Sequence, residues 1–251
     1  MNNNKILIYG KHPVFSILKA KKRKIFGINI VDQNKKEFYS TVEREDIDLK
    51  GINVKFMSHN EMDGMFNHLY KEKNHQGYII FVNEKEEITL DDFINEFEGQ
   101  KELPKLLILD QIVDPHNLGA LLRTAVAFGV FNVIITAFNS TKETATVSKS
   151  SAGLNELVNV IEVINLNNAI KELKNIGYFV YGLDGEAKTL IEQVKDSSNI
   201  ALILGNEGKG IRELVKKNCD ELVKIKMHEY AESLNVSVAG GIAMYQVWGK
   251  Y

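Results

Sequence analysis

Cysteine is nearly absent: the single Cys219 cannot build an internal disulfide framework, and its scarcity fits a reducing, cytoplasmic setting. It stands in "KKNCDELV" with no histidine nearby, so it reads as a small packing residue rather than a nucleophile. Proline is also scarce, three in 251 residues, and no long biased tract occurs; both argue against extensive disorder. No apolar run approaches the ~20 residues a membrane helix requires, so no membrane partner is expected. The opening "MNNNK" lacks the apolar centre of a signal peptide. A strong charge of either sign is missing too, the formal net charge being −2. What remains is 44% hydrophobic and 25% charged, a globular composition with room for one large domain or two modest ones.

The small net charge hides an uneven distribution. Residues 1–83 sum to +5, residues 84–103 to −6 and residues 104–251 to −1. This division predicts a mildly basic head, an acidic linker and a neutral body over those ranges. Within the head, "KAKKRK" gathers Lys19, Lys21, Lys22, Arg23 and Lys24. Such a run is either a solvated helix end or a set of phosphate contacts, in which each neutralised phosphate adds salt-dependent affinity.

Periodicity predicts a mixed α/β unit first: a helix in "HPVFSILKA", strands "IFGINIV" and "NVKFM", a helix in "HNEMDGMFNHLY" and a buried strand "GYIIFV". The linker holds a short helix at "LDDFINEF", and Pro104 marks its end. Beyond it, strand "KLLILD" precedes a helix over 117–128 and strand "NVIITA". A polar stretch, strand "VNVIEV" and helix "NLNNAIKELKNIG" follow. Strands "YFVYGL" and "NIALILG", a short helix "IRELVKKN", strand "ELVKIKM" and a final helix from about Leu234 complete the pattern. Alternation of this kind predicts a mostly parallel sheet covered on both faces.

Ligands of such sheets gather at the carboxyl ends of the strands, and three segments fall there. The first is "DPHNLGALLRTAVAFGV", residues 114–130. Leu118, Leu121, Leu122, Ala125 and Val126 form its apolar stripe, with Asn117 the expected N-cap. Its other face sets Gly119, Ala120 and Ala127 around Arg123, a surface suited to the close approach of something that meets a guanidinium. The second, "GNEGKG" at residues 205–210, lacks the Lys-Ser/Thr of a P-loop and has the wrong spacing for a dinucleotide fingerprint. It holds Glu207 between glycines whose open backbone can read an adenine edge or a ribose. The third, "HEYAESLNVSVAGG", enters a helix carrying Gly240 and Gly241. Each glycine costs about 0.5–1 kcal/mol relative to Ala. Another backbone should therefore lie close, from within the chain or from a second subunit.

Together, "DPHNLGALLRTA", "LILGNEGKGIR" and "IKM…SLNVSVA" resemble, in order and spacing, the three signature motifs of the SPOUT-class RNA 2′-O-ribose methyltransferases, the SpoU/TrmH family. "KHPVFSIL" and "NHQGYII" look like the substrate-binding head of the bacterial branch that methylates a guanosine in 23S ribosomal RNA. The resemblance spans the whole chain. It implies a trefoil-knotted α/β catalytic domain over 104–251 behind a small ribosomal-protein-like α/β RNA-binding domain over 1–83. It also implies S-adenosylmethionine as cofactor, no metal, and a homodimer formed through the knotted C-terminal region. Gly205, Gly210, Ile225, Met227 and Leu234 become the expected cofactor-binding residues, and Asn117, Arg123, Glu207, Ser233 and Asn235 the expected catalytic set. His12 joins the lysine run as an expected RNA contact. A second subunit and its RNA would then occupy the small-residue helix faces.

The chemistry suits these residue types. A ribose hydroxyl becomes nucleophilic as its proton leaves, so the site must stabilise a developing oxyanion and hold it in line with a sulfonium methyl. The Arg123 guanidinium can hold the flanking phosphate bidentately while its charge favours that oxyanion. Because Arg stays protonated, the proton passes to the phosphate or to Glu207. Asn117, Ser233 and Asn235 take positioning roles, and Ser233 could also cap the last helix. The sequence departs from the family at Lys226, where Pro is usual, and at Glu229, where Gly is usual; Glu232 adds a charge beside Ser233. Transfer RNA is the rival substrate. A catalytically weakened RNA-binding or ribosome-assembly protein of the same fold is the rival class.

Overall fold

Alternating apolar runs build two separate sheets in the computed structural model, which describes residues 5–67, 75–138, 140, 145–194 and 199–249. The chain divides into two units, residues 1–86 with 152–156, and residues 87–151 with 157–251. Among the described residues no helix is long and apolar enough to cross a membrane.

The first unit contains β1 (Ile6–Tyr9), α1 (Lys11–Ala20), β2 (Ile25–Val31), α2 (Lys35–Arg44), β3 (Val54–Met57), α3 (His59–Asn67) and β4 (Tyr78–Val82). The end of the helix expected in "HNEMDGMFNHLY" lies outside the described residues. The strand order is β1-β4-β2-β3; β4 runs antiparallel to β1 and β2, and β2 parallel to β3. Val14, Ile17, Ile28, Ile30, Phe38 and Ile80 form the core. A tight turn at residues 75–77 precedes β4. Gln76 and Gly77 both have positive φ, +55° and +77°, so glycine suits the second position. The Gln76 Oε1 accepts the Lys11 backbone N–H at 3.0 Å, supplying α1 with the cap that Gly10 cannot. The Gly77 N–H donates to Nδ1 of buried His75 at 2.9 Å, leaving Nε2–H to donate to Asp63 at 2.9 Å. Both ring nitrogens are thus engaged by the protein itself.

The second unit opens with α4 (Leu90–Phe97), started by a capping box between Thr89 and Asp92. Phe93 of this helix is buried against the second unit's core, so much of the acidic stretch is part of that unit rather than a free connector. There follow β5 (Leu106–Leu109), α5 (Pro115–Ala127), β6 (Asn132–Thr136), α6 (Ala145–Ser150), β7 (Asn159–Val163) and α7 (Leu166–Asn175). Next come β8 (Phe179–Leu183), β9 (Thr189–Leu190), β10 (Ile200–Leu204), α8 (Glu213–Lys216), β11 (Glu221–Lys224) and α9 (Val236–Trp248). The order β7-β6-β5-β10-β8-β11-β9 is parallel at every pairing. Its strands are buried on both faces, with period two. Leu107, Leu109, Leu202 and Leu204 meet α5 and α9 on one face; Leu106, Ile108, Ala201 and Ile203 meet α4 and α7 on the other. Helix α6 and the short β9 are elements that the periodicity did not announce.

Two expectations about α5 are corrected. Its N-cap is Asp114, which accepts the His116 N–H at 2.9 Å with Pro115 at the first helical position, so Asn117 lies inside the first turn. The partner of Gly119 is not a second subunit but α6: a methyl group at Gly119 would overlap Ser150 and crowd the Val147 carbonyl. Gly240 likewise faces Leu121 and Leu204 of the same chain, so intramolecular helix packing accounts for it. Cys219 is a packing residue; burial pushes its thiol up to about 12.

Gly119→Ala tests the α5–α6 packing because propensity and sterics oppose each other. A helix interior favours Ala by about 1 kcal/mol, whereas overpacking costs about 1–3 kcal/mol. We expect net destabilisation in thermal or urea unfolding; a more stable variant would show that α6 does not press on Gly119.

Candidate functional site

Strands β5, β10, β8 and β11 are neighbours and parallel, so their carboxyl ends open on one edge of the sheet. The segments leaving them enclose a cavity of about 200 Å³. Leu183, Asp184 and Gly185 come from the end of β8, and Leu204, Gly205, Asn206, Glu207 and Gly210 from the end of β10. The segment after β11 adds Ile225, Met227, Glu232, Ser233 and Leu234. All five residues expected to bind cofactor therefore lie on one wall or another of this cavity, with Glu207 and Ser233.

The glycine loop owes its shape to backbone proximity. The peptide groups of Asn206 and Gly210 pair in both directions, at 3.1 and 2.8 Å, folding the loop into a hairpin. A methyl group at Gly205 would overlap the backbone of Gly210 and Ile211, and Gly210 itself has φ +65°. Outside the cavity, the loop is fastened to the end of β5. The Asn206 Nδ2 donates to the Gln111 carbonyl at 3.0 Å, and buried Asp110 accepts from Arg212 through Nε at 2.8 Å and the backbone N–H at 3.0 Å.

Asn117 links the three motifs. Its Nδ2 donates to Glu207 of the glycine loop and, at 3.1 Å, to Asp114; its Oδ1 accepts from Asn235 Nδ2 at 3.1 Å. Asn235 is in turn the N-cap of α9, accepting the Ser237 N–H at 2.9 Å, which leaves Ser233 free of the capping role and on the cavity wall. Arg123 does not join this network. It is exposed on α5, and no hydrogen bond or ion pair holds it among the described residues.

Sequence reasoning missed Asp184, Asp110 and Arg212. The signal for Asp184 was available, since "YGLDG" is another strand that ends in a carboxylate. Burial alone would push the Asp184 carboxyl up, but Lys216 and the Glu186 N–H outweigh it and hold the group below its ordinary range.

The basic run of the first unit is not uniform. Arg23 is buried, and its Nε and Nη2 donate to the Glu156 carboxylate at 2.8 and 3.1 Å. It is a structural cation, which corrects its assignment as an RNA contact. Lys19 pairs with Glu45 at 2.7 Å, and Lys21 is the left-handed C-cap of α1. Lys22 and Lys24 are exposed, as is His12 in the first turn of α1. Partial burial and the neighbouring Lys85 push the Lys22 ammonium down from its usual value.

Comparison with known proteins follows the same division. Residues 104–245 match the SpoU rRNA Methylase family, and residues 7–88 match the RNA 2′-O ribose methyltransferase substrate binding family. The chain is 36% identical to the 23S rRNA (guanosine-2′-O-)-methyltransferase RlmB of Vibrio cholerae, covering 96% of this chain and 95% of that one. It is also 36% identical to the RlmB of Coxiella burnetii, over 96% and 94%. Its fold is similar to that of an AdoMet-bound rRNA methyltransferase from Sinorhizobium meliloti, with a TM-score of 0.75 and 19% identity over 96% and 86% of the two chains.

Replacing Arg23 by Ala removes two charge-assisted hydrogen bonds and the paired cation from the buried Glu156 carboxylate. The expected loss is about 3–5 kcal/mol of unfolding free energy, read by urea denaturation. A loss below about 1 kcal/mol, the range of an exposed pair, would return Arg23 to the surface.

Proposed function

Because this chain belongs to the SpoU rRNA Methylase family, we propose that it methylates the 2′-oxygen of a guanosine ribose in 23S ribosomal RNA, with S-adenosylmethionine as donor. The observation that carries this reading is the Asn117 hub, which joins the ends of β5, β10 and β11 beside one cavity. The choice of RNA rests on relatives named for that reaction, 94–95% of whose length the chain matches.

The cavity fits such a cofactor chemically. Leu204, Ile225, Leu234 and Val236 give it apolar walls for an adenine ring, and the Gly205–Gly210 hairpin presents backbone polar groups at its edge. When bound, the cofactor supplies an electrophilic methyl group. The remaining work belongs to the chain. Arg123, exposed and without a partner among the described residues, holds the phosphate next to the target ribose and stabilises the developing 2′-oxyanion. Glu207 receives the hydroxyl proton, and Asn117 fixes that carboxylate by hydrogen bonding. Ser233 and Asn235 position the ribose and the third loop. The segment after β11 is the part we assign to the knot characteristic of the family.

We further read the protein as a cytoplasmic homodimer. Val238 and Tyr245 expose apolar surface along α9, which a second copy would cover. Exposed His12, Lys22 and Lys24 of the first unit provide RNA contacts.

Arg123→Ala should lower turnover by about 10²–10³-fold, the range for losing one oxyanion-stabilising donor, while cofactor affinity by calorimetry stays within a fewfold. Near-normal turnover would reject the role. Mapping ribose methylation across ribosomal and transfer RNA in cells with and without the protein tests the substrate. A mark lost from transfer RNA alone would replace it.

A further inference from the structure

Asp184 is an unusual group to find on the wall of an apolar cavity. It leaves the carboxyl end of β8, its side chain is 8% exposed, and it lines the cavity between Leu183 and Gly185. Two partners already hold it: Lys216 Nζ of α8 lies 2.6 Å from Oδ2, and the Glu186 N–H donates to Oδ1 at 2.8 Å. Its own N–H is bonded to the Val223 carbonyl at 2.9 Å, so the backbone is fixed to the end of β11. A buried ion pair seldom adds net stability over apolar packing of similar volume. Stability alone therefore does not account for a charged pair on this wall.

The charge balance decides which kind of donor the ligand offers. Two carboxylate oxygens provide about four acceptor sites, and the chain fills two of them. Lys216 also reaches the exposed Glu213 at 3.1 Å but lies closer to Asp184, so a second ammonium arriving at Asp184 would meet the repulsion of the first. A neutral hydroxyl faces no such opposition, and its hydrogen bond to an ionised acceptor is stronger than one to a neutral group. Glu232, exposed on the same cavity and without a bonded partner among the described residues, is the carboxylate better suited to a cation.

We propose that Asp184, held in place by Lys216, accepts the ribose hydroxyls of the cofactor's adenosine and so anchors it against β8. The proposal rests on the cofactor reading given above. Asp184 is a binding residue in this role, and Lys216 a positioning residue.

The experiment measures binding of S-adenosylhomocysteine and its 2′-deoxy and 3′-deoxy analogues by calorimetry, with no RNA and no turnover. The full-length protein should bind at least one deoxy analogue about tenfold more weakly than the parent, the scale of one hydrogen bond to a charged group. Asp184→Ala should bind the parent about tenfold more weakly and no longer distinguish it from that analogue. Asp184→Asn keeps an acceptor for the Glu186 amide and should show a reduced ratio, which carries the test if the alanine variant does not fold. Equal affinity of the unmodified protein for all three ligands overturns the proposal. So does a full ratio retained in both variants, even if their melting temperatures fall, because Asp184 would then be structural or would meet the amino acid portion. Failure of the unmodified protein to bind the parent ligand would reject the cofactor reading instead.

Discussion

The site depends on one buried carboxylate. Asp110 lies just past the end of β5 with no exposed surface, and Arg212 meets both its carboxylate oxygens, Oδ1 through Nε and Nη2 and Oδ2 through the backbone N–H. Arg212 lies two residues beyond Gly210 of the glycine hairpin, and Asn206 near its start is fastened to Gln111. The hairpin is therefore clamped at both ends to one turn of chain at the tip of β5. Such a pair adds little stability over an apolar substitute, yet breaking it leaves an uncompensated charge. Its value lies in register. It fixes which atoms of residues 205–210 face the cavity, and it brings Glu207 within reach of Asn117.

The fold was legible because strands buried on both faces are nearly continuous apolar runs, and helices that cover them keep their 3.6-residue stripe. "KLLILD", "NIALILG" and the stripe of α5 carried that information directly. What escaped was short or polar. Helix α6 has the composition "ATVSKS" and earns its place by filling the space above Gly119, a tertiary fact without a local signal. The order β5-β10-β8-β11 was equally out of reach, since neighbours in the sheet are distant in sequence. Without that order, Asp184 could not be recognised as sharing a wall with Gly205. Asn117 shows a different limit: a residue favoured as an N-cap was displaced by Asp114 once Pro115 took the first helical position.

Charges in the first unit separate into structural and available sets in the same way. A run of five cations suggests five phosphate contacts, but burial commits Arg23 to Glu156 and surface pairing engages Lys19 with Glu45. At most Lys21, Lys22 and Lys24 remain for RNA from this run. Counterion release would then contribute a salt slope of about −2, from −0.7 per contact on single-stranded RNA. A modest electrostatic footprint suits a chain of net charge −2. It places more of the recognition on shape and on groups that read the nucleotide itself.

The departures at Lys226 and Glu229 can be judged by the same physical standard. Glycine is favoured where φ is positive, and among the described residues Glu229 is not one of the non-glycine positions in that region, which are Lys21, Asp46, Gln76, Gln111 and Ala152. Glutamate therefore introduces no backbone strain there. The turn is closed instead by the Ala231 N–H donating to the His228 carbonyl at 2.9 Å, with the His228 and Tyr230 rings 5.0 Å apart. Lys226 is exposed, while Ile225 and Met227 on either side line the cavity. The alternation of an extended segment thus keeps the two apolar side chains inward and turns the lysine to solvent. Neither Lys226 nor Glu229 lies on the cavity wall, and the segment between them and Ser233 is held by the hydrogen bond from Ala231 to His228.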